Sequence, residues 1–333
     1  MSGRIAVLGG GAWGTALACV ARRRGTEVAL FARDPETADA VGRGENPKRL
    51  PGVALPPGIE GTTDIDAAIR GADAILAAVP AQSMRATLES VDPSLLDGMP
   101  VAICAKGIER GALKRMAQVV AEVAPRAVPV VLTGPTFARE VAAGLPTAVV
   151  LACHRSEAVA VLRGALGGDC LRFYESDDLI GAEVGGAVKN VIALAAGICT
   201  GRGLGENARA ALVSRGLAET IRLAVALGGR AETVMGLSGS GDLILTAMSA
   251  TSRNTAFGMK IGEGGAPLDV LLESAAVTEG YWSAAAVEDL ADQVGVEMPI
   301  CEAVAAVLRG EIDVDGAVAT LFERPSGAEF RDT

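Results

Sequence analysis

The chain has 333 residues, enough for two domains that each bury their own core. Half of the residues are hydrophobic but only 3% are aromatic, so the core has to be built from Ala, Val, Leu and Ile. A net charge of −10 argues against nucleic acid or an anionic membrane as the main partner, while leaving room for a small anion held by a local cluster of Lys and Arg.

No uninterrupted apolar run reaches the roughly 18 residues of a membrane span. The run Ile5 to Leu8 after Arg4 is too short for a signal peptide and ends in Gly9-Gly10-Gly11. No integral membrane segment is expected, and the cytoplasm is the expected location. Cys19, Cys104, Cys153, Cys170, Cys199 and Cys301 are scattered without a C-x-x-C pair and read as reduced and mostly buried. His154 is the only histidine, which excludes a zinc site of several histidines, and no metal site is expected.

Arg4 to Leu8 reads as a short buried strand and Ala12 to Arg24 as a helix stopped by Gly25. Between them, Gly9-Gly10-Gly11-Ala12-Trp13-Gly14 fits G-x-G-x-x-G. That pattern is weak alone, but here it follows a strand and opens a helix, the context a dinucleotide site requires. Gly9, Gly11 and Gly14 then allow the turn and the approach of a pyrophosphate to helix N–H groups.

Glu27 to Ala32 is a second strand. A dinucleotide site usually places Asp or Glu after it to hold the ribose hydroxyls. This chain has Arg33 and then Asp34. Arg33 suits a 2′-phosphate and favours NADP(H), whereas Asp34 keeps NAD(H) open. A solvated Arg–Asp pair at a helix start is the plain alternative.

Further strands are read at Ala74 to Val79, Pro100 to Cys104, Val128 to Leu132 and Ala148 to Leu151. Short apolar strands alternating with helices mean a mostly parallel, doubly wound sheet of Rossmann type, with its ligand off the carboxyl ends of the strands. Lys106 follows one such strand. Gly134-Pro135-Thr136-Phe137-Ala138 follows the next and offers backbone N–H groups and a hydroxyl.

From about Ile180 the pattern turns to long Ala/Leu-rich helices, as in Ala208 to Leu227, and the tail after Glu323 is polar and loose. The expected division is a dinucleotide-binding domain over 1–180 and a helical substrate-binding domain over 181–333. Lys189 is the only charge between Val184 and Cys199, in a run apolar on every side. Such a helix is buried, and a lysine inside it needs a partner or a cavity. Desolvation brings a lysine pKa toward the range for proton transfer. A lysine snorkelling to solvent is the alternative.

Asp242, in Gly239-Ser240-Gly241-Asp242-Leu243, is a carboxylate among glycines and apolar residues. It could orient Lys189, bind a substrate hydroxyl or cap a helix. Ser252-Arg253-Asn254 sets a hydroxyl, a cation and an amide side by side, equipment suited to a phosphate.

The set Gly9-x-Gly11-Ala12-Trp13-Gly14-Thr15-Ala16, Lys106-Gly107-Ile108-Glu109, Gly134-Pro135-Thr136-Phe137-Ala138, Gly186-Ala187-Val188-Lys189-Asn190 and Ser252-Arg253-Asn254 resembles the bacterial NAD(P)-dependent glycerol-3-phosphate dehydrogenases, from Ile5 to about Leu321. The resemblance implies a cytoplasmic, dimeric enzyme interconverting dihydroxyacetone phosphate and sn-glycerol 3-phosphate for membrane glycerophospholipids. It implies Lys189 as the proton-transferring residue. Lys106, Gly134, Thr136, Asp242, Ser252, Arg253 and Asn254 would contact substrate. Ala12, Trp13, Arg33, Lys106, Ala138, Arg253, Val277 and Glu279 would contact the dinucleotide. Two positions depart from the family pattern: Ala12 where Ser is common, and Ser283 near a frequent Thr. The nearest rival is a β-hydroxyacid dehydrogenase of related architecture, which needs a carboxylate site where this chain offers Lys106 and Ser252-Arg253-Asn254.

Overall fold

The computed structural model describes residues 3–168, 170–273 and 278–325. Eight strands, β1 (Arg4–Leu8), β2 (Glu27–Phe31), β3 (Ile59–Thr62), β4 (Ala74–Ala77), β5 (Pro100–Ile103), β6 (Val128–Thr133), β7 (Thr147–Ala152) and β8 (Leu171–Ser176), form one sheet in the order β3-β2-β1-β4-β5-β6-β7-β8. All pairings are parallel except β6 with β7. Ile5 to Leu8 and Ala74 to Ala77 are fully buried, as strands covered on both faces must be.

The covering helices are α1 (Ala12–Arg23), α2 (Pro35–Gly42), α3 (Ile65–Ile69), α4 (Met84–Glu89), α5 (Met116–Val123), α6 (Ala138–Ala142) and α7 (Ser156–Leu166). Strand order reverses between β1 and β4. The carboxyl ends of β1, β4, β5 and β6 therefore flank the crevice in which this architecture takes ligands.

After β8 every regular element among the described residues is helical. These are α8 (Leu179–Gly201), α9 (Glu206–Ala226), α10 (Ala231–Met235), α11 (Asp242–Ala247), α12 (Arg253–Gly262), α13 (Pro267–Glu273), α14 (Glu279–Val294), α15 (Pro299–Arg309) and α16 (Val314–Phe322). α8 is the axle of this half, with 20 of its 23 residues buried. α12 packs on it at backbone distance. A Cβ on Gly197 would overlap the Thr255 carbonyl oxygen, and one on Gly258 would overlap the carbonyl oxygen of Leu194. Glycines on both partners let the two backbones touch, which brings Arg253 and Asn254 beside Lys189 and Asn190.

Several expectations change. β3 and β8 are additional strands, and β7 runs against β6. β4 ends at Ala77, before Val79. α8 is long and apolar enough to cross a membrane despite Glu183 and Lys189, but 94% of that window is buried inside the protein. His154 lies exposed just beyond β7. Most of the tail after Glu323, residues 326–333, lies outside the described residues.

Candidate active site

The turn after β1 assigns a separate duty to each glycine. Gly9 has φ +121°, and a Cβ there would sit 2.7 Å from the Ala78 carbonyl oxygen. A Cβ on Gly14 would overlap the Gly9 carbonyl oxygen, so Gly14 lets α1 lie against the turn. Gly11 caps α1, and a Cβ there would meet nothing within 4 Å, so the start of α1 borders open space. Such a cradle fits a pyrophosphate, with the helix dipole favouring its charge. Ala12 opens α1 without a side-chain cap, and Trp13 beside it has a buried indole Nε1 with no partner. Of the charged pair Arg33–Asp34 beyond β2, Asp34 is committed: it caps α2 at Glu36 N, accepts from Thr37 Oγ1 at 2.7 Å and pairs with Lys48 at 2.9 Å. Arg33 is exposed and makes no such bond among the described residues.

Across the crevice three segments meet at one carboxylate. Asp242, 1% exposed at the start of α11, accepts from Lys189 Nζ through Oδ1 at 3.0 Å and from Lys106 Nζ through Oδ2 at 2.5 Å. Lys189 Nζ also donates to Thr246 Oγ1 at 2.8 Å, and Lys106 Nζ to the Gly134 carbonyl at 3.1 Å. Thr246 Oγ1 in turn donates to the Asp242 carbonyl at 2.6 Å. Burial would raise the Asp242 carboxyl, but the Lys106 and Lys189 charges outweigh it and hold the pKa below its usual value. Burial also brings Lys189 down to about 8; Asp242 opposes the fall, while Lys106 and Arg253 add to it. The result is a lysine that can give or take a proton near neutral pH.

The family models for NAD-dependent glycerol-3-phosphate dehydrogenase match residues 4–159 with the N-terminal part and 178–319 with the C-terminal part. The chain belongs to this family. It is 50% identical to a glycerol-3-phosphate dehydrogenase (NAD(P)+) of Mesorhizobium japonicum over 331 residues, covering 99% of this chain and 95% of that protein. A protein of the same name from Rhodospirillum rubrum is 52% identical over 326 residues, covering 98% and 93%. The crystal structure of the glycerol-3-phosphate dehydrogenase of Coxiella burnetii superposes with a TM-score of 0.92 at 38% identity, covering 97% and 99%.

The other positions that the glycerol-3-phosphate dehydrogenase resemblance singled out fall into place unequally. Of Ser252-Arg253-Asn254, only Arg253 has an exposed side chain without a hydrogen bond among the described residues. Ser252 caps α12 by accepting from Thr255 N at 3.4 Å. Asn254 is spent on the scaffold, donating to Asn190 Oδ1 at 2.8 Å and accepting from Gly280 N at 2.9 Å. Thr136 Oγ1 donates to the Gly134 carbonyl at 3.2 Å, and Ala138 begins α6. Glu279 begins α14 facing Arg253, with its carboxyl pushed up by burial and held back by that guanidinium. Val277 lies outside the described residues. Ser283 is buried in α14.

Asp242 makes no cap of its own, since the cap position of α11 is Gly241. Two polar residues of the site were not singled out from sequence. Thr246 stands four residues after Asp242, hence on the same helix face, and that spacing is the signal that could have found it. Asn46, 1% exposed, ties its loop to the glycine turn by donating to the Gly10 carbonyl at 3.1 Å and to Thr15 Oγ1 at 2.8 Å. Nothing in its local pattern announces it.

Proposed function

We infer that this protein interconverts dihydroxyacetone phosphate and sn-glycerol 3-phosphate with NAD(P)(H), with Lys189 transferring the proton. The observation that carries this is the buried Lys189–Asp242–Lys106 cluster set opposite an open glycine turn. When bound, the nicotinamide supplies or takes up the hydride. Gly9, Gly11, Gly14, Ala12 and Trp13 would hold the dinucleotide, with Arg33, Ala138 and Glu279 along it. Lys189 gives its proton to the carbonyl oxygen as charge develops there and takes it back in the oxidation. Asp242 keeps Lys189 oriented, and Lys106 supplies a second cation to the same oxygen region. Arg253 takes the substrate phosphate, using remote binding energy to orient the carbonyl. Gly134 and Thr136 line the approach, and Ser252 and Asn254 present Arg253.

Arg33, exposed beside a committed Asp34, supports a preference for NADP(H). The resemblance supports a cytoplasmic homodimer serving glycerophospholipid synthesis. The named relatives from Mesorhizobium japonicum and Rhodospirillum rubrum carry the phosphate ester in their names. Initial rates with dihydroxyacetone phosphate, measured in parallel with NADPH and NADH and against a β-hydroxy acid, test the reading. Turnover of the β-hydroxy acid alone overturns it.

A further inference from the structure

The segment after Lys106 folds into a tight hairpin over residues 108–115. Ile108 and Arg115 pair across it, and the Glu109 N–H donates to the Lys114 carbonyl at 2.9 Å. Gln82 clamps its start, donating to the Ile108 carbonyl at 2.7 Å and accepting from the Arg110 N–H at 3.1 Å. Leu113 has φ +53°, the one non-glycine residue in the left-handed region among the described residues, so its surroundings hold it there against a steric cost.

The hairpin hangs from β5, yet its apolar side chains belong to the helical half. Ile108 is 1% exposed within the helical core, and Leu113 packs on the same core. Arg115 pairs with Glu183 of α8 at 2.7 Å, six residues before Lys189 on that helix. At the tip, the Arg110 guanidinium lies over the Trp282 ring of α14, 4.5 Å from its centre. Trp282 meets Tyr281 edge-on at 4.9 Å, and Tyr281 meets Phe257 of α12 edge-on at 5.8 Å. One hairpin thus grips the helices that surround Lys189.

We propose that hairpin 108–115 is a clasp between the sheet and the helices, in which Arg110 stacked on Trp282 is the positioning contact that holds Lys106 against Asp242; this rests on Lys189 being the proton-transferring residue. Only Gly107 separates Lys106 from the hairpin. A Cβ there would lie 2.8 Å from the Ala81 Cβ, so the joint packs directly on Ala81, and a single long bond from Asn190 Nδ2 to the Lys106 carbonyl at 3.5 Å is its side-chain tie. The outer contacts of the hairpin complete the hold. The charged groups facing Lys189 are Asp242 from α11, Lys106 from the β5 loop and Arg253 from α12, with Glu279 of α14 facing Arg253. Only Lys106 moves with the hairpin. When the clasp loosens, a like charge leaves Lys189 while Asp242 stays, so the protonated form of Lys189 is favoured and its pKa climbs.

The test is the pH profile of dihydroxyacetone phosphate reduction by the full-length enzyme and by Arg110→Ala, Trp282→Ala and Trp282→Phe. Arg110→Ala and Trp282→Ala are expected to lose about 2- to 5-fold in kcat/KM, the scale of an exposed cation–π contact. Their alkaline limb is expected to move upward relative to that of the wild type, where a Lys189 pKa brought down to about 8 places it. Trp282→Phe keeps an aromatic face and stays near wild type in both. A lower rate with an unmoved limb overturns the clasp, and so do wild-type rate and limb in both alanine variants. Arg110 is exposed, so Arg110→Ala carries the test even if Trp282→Ala does not fold. If the same limb persists in the residual turnover of Lys189→Ala, the Lys189 assignment fails, and the clasp with it, without the hairpin having been touched.

Discussion

The turn after β1 and the cluster around Asp242 stand off the same carboxyl end of the sheet but are made of different material. Six consecutive residues build the turn, and it works through backbone: a positive φ at Gly9, a contact at Gly14 that admits no side chain, and open space beside Gly11 at the start of α1. Side chains from three distant segments build the cluster, and its chemistry comes from burial and charge: one carboxylate between two lysines, with Arg253 near. The cradle is thus partly open to solvent, whereas the Lys189–Asp242 pair is dry. An electrostatic interaction counts for more in a dry site, which is why the proton chemistry belongs at that end.

Lys189→Ala should separate the two regions most strongly. It should lower kcat by about 10²-fold or more, the scale of lost general acid catalysis, with dinucleotide affinity near normal. Near-normal turnover in the folded variant would remove the lysine from the chemistry. In the wild type the sign of the pH dependence follows from a Lys189 pKa brought down to about 8. Reduction needs the ammonium and should decline as pH rises through that value; oxidation needs the free amine and should rise over the same interval. Parallel profiles in the two directions contradict the assignment.

Arg253→Ala comes next. Loss of a hydrogen-bonded charge pair with the phosphate should cost about tenfold or more in kcat/KM for dihydroxyacetone phosphate. Arg253→Lys should rescue only partly, because an ammonium lacks the bidentate fork. Unphosphorylated dihydroxyacetone, a poor substrate throughout, should be affected much less. An equal loss on both substrates reassigns Arg253 to the cofactor or the fold.

At the backbone end, Gly14→Ala and Gly11→Ala should separate. The first drives a methyl into the Gly9 carbonyl and should destabilise the fold by about 1–3 kcal/mol, read as a lowered Tm. The second enters open space, so Tm should hold while dinucleotide binding weakens. Normal binding by Gly11→Ala would mean that the pyrophosphate passes elsewhere. The smallest effect is expected at Arg33→Asp, which should lower the NADPH/NADH ratio of kcat/KM several-fold, on the scale of a surface charge-assisted contact. An unchanged ratio removes Arg33 from cofactor choice.

Legibility followed the same divide. Continuous apolar runs identified six of the eight strands. β3, Ile-Glu-Gly-Thr, and β8, Leu-Arg-Phe-Tyr-Glu-Ser, escaped because they are polar strands at the two edges of the sheet, where one side is wet and the apolar signal is weak. The reversal at β7 was invisible, since strand direction leaves no mark in a buried apolar run. Lys189 stood out because a charge in an apolar helix has few explanations. Asp242 was ambiguous among orienter, substrate ligand and helix cap, and only its contacts exclude the cap. Ser252-Arg253-Asn254 looked like one phosphate-binding trio, yet two of its members are turned to capping and scaffold bonds.

Sequence alone determined what depends on neighbours along the chain: the glycine turn between a strand and a helix, the buried character of α8, and the isolation of its lysine. These follow from local sterics and from the cost of an unpaired charge, both of which act over a few residues. Tertiary structure decided which carboxylate meets which lysine. Asp242 lies 53 residues from Lys189 and 136 from Lys106, and no local preference specifies such pairings. They are set by the packing of α11 and the residues before it on α8, where a Cβ on Gly185 would lie 2.9 Å from the Ser238 carbonyl oxygen, and by the order of the sheet. The lowered proton affinity of Lys189 exists only once those packings have excluded water from it.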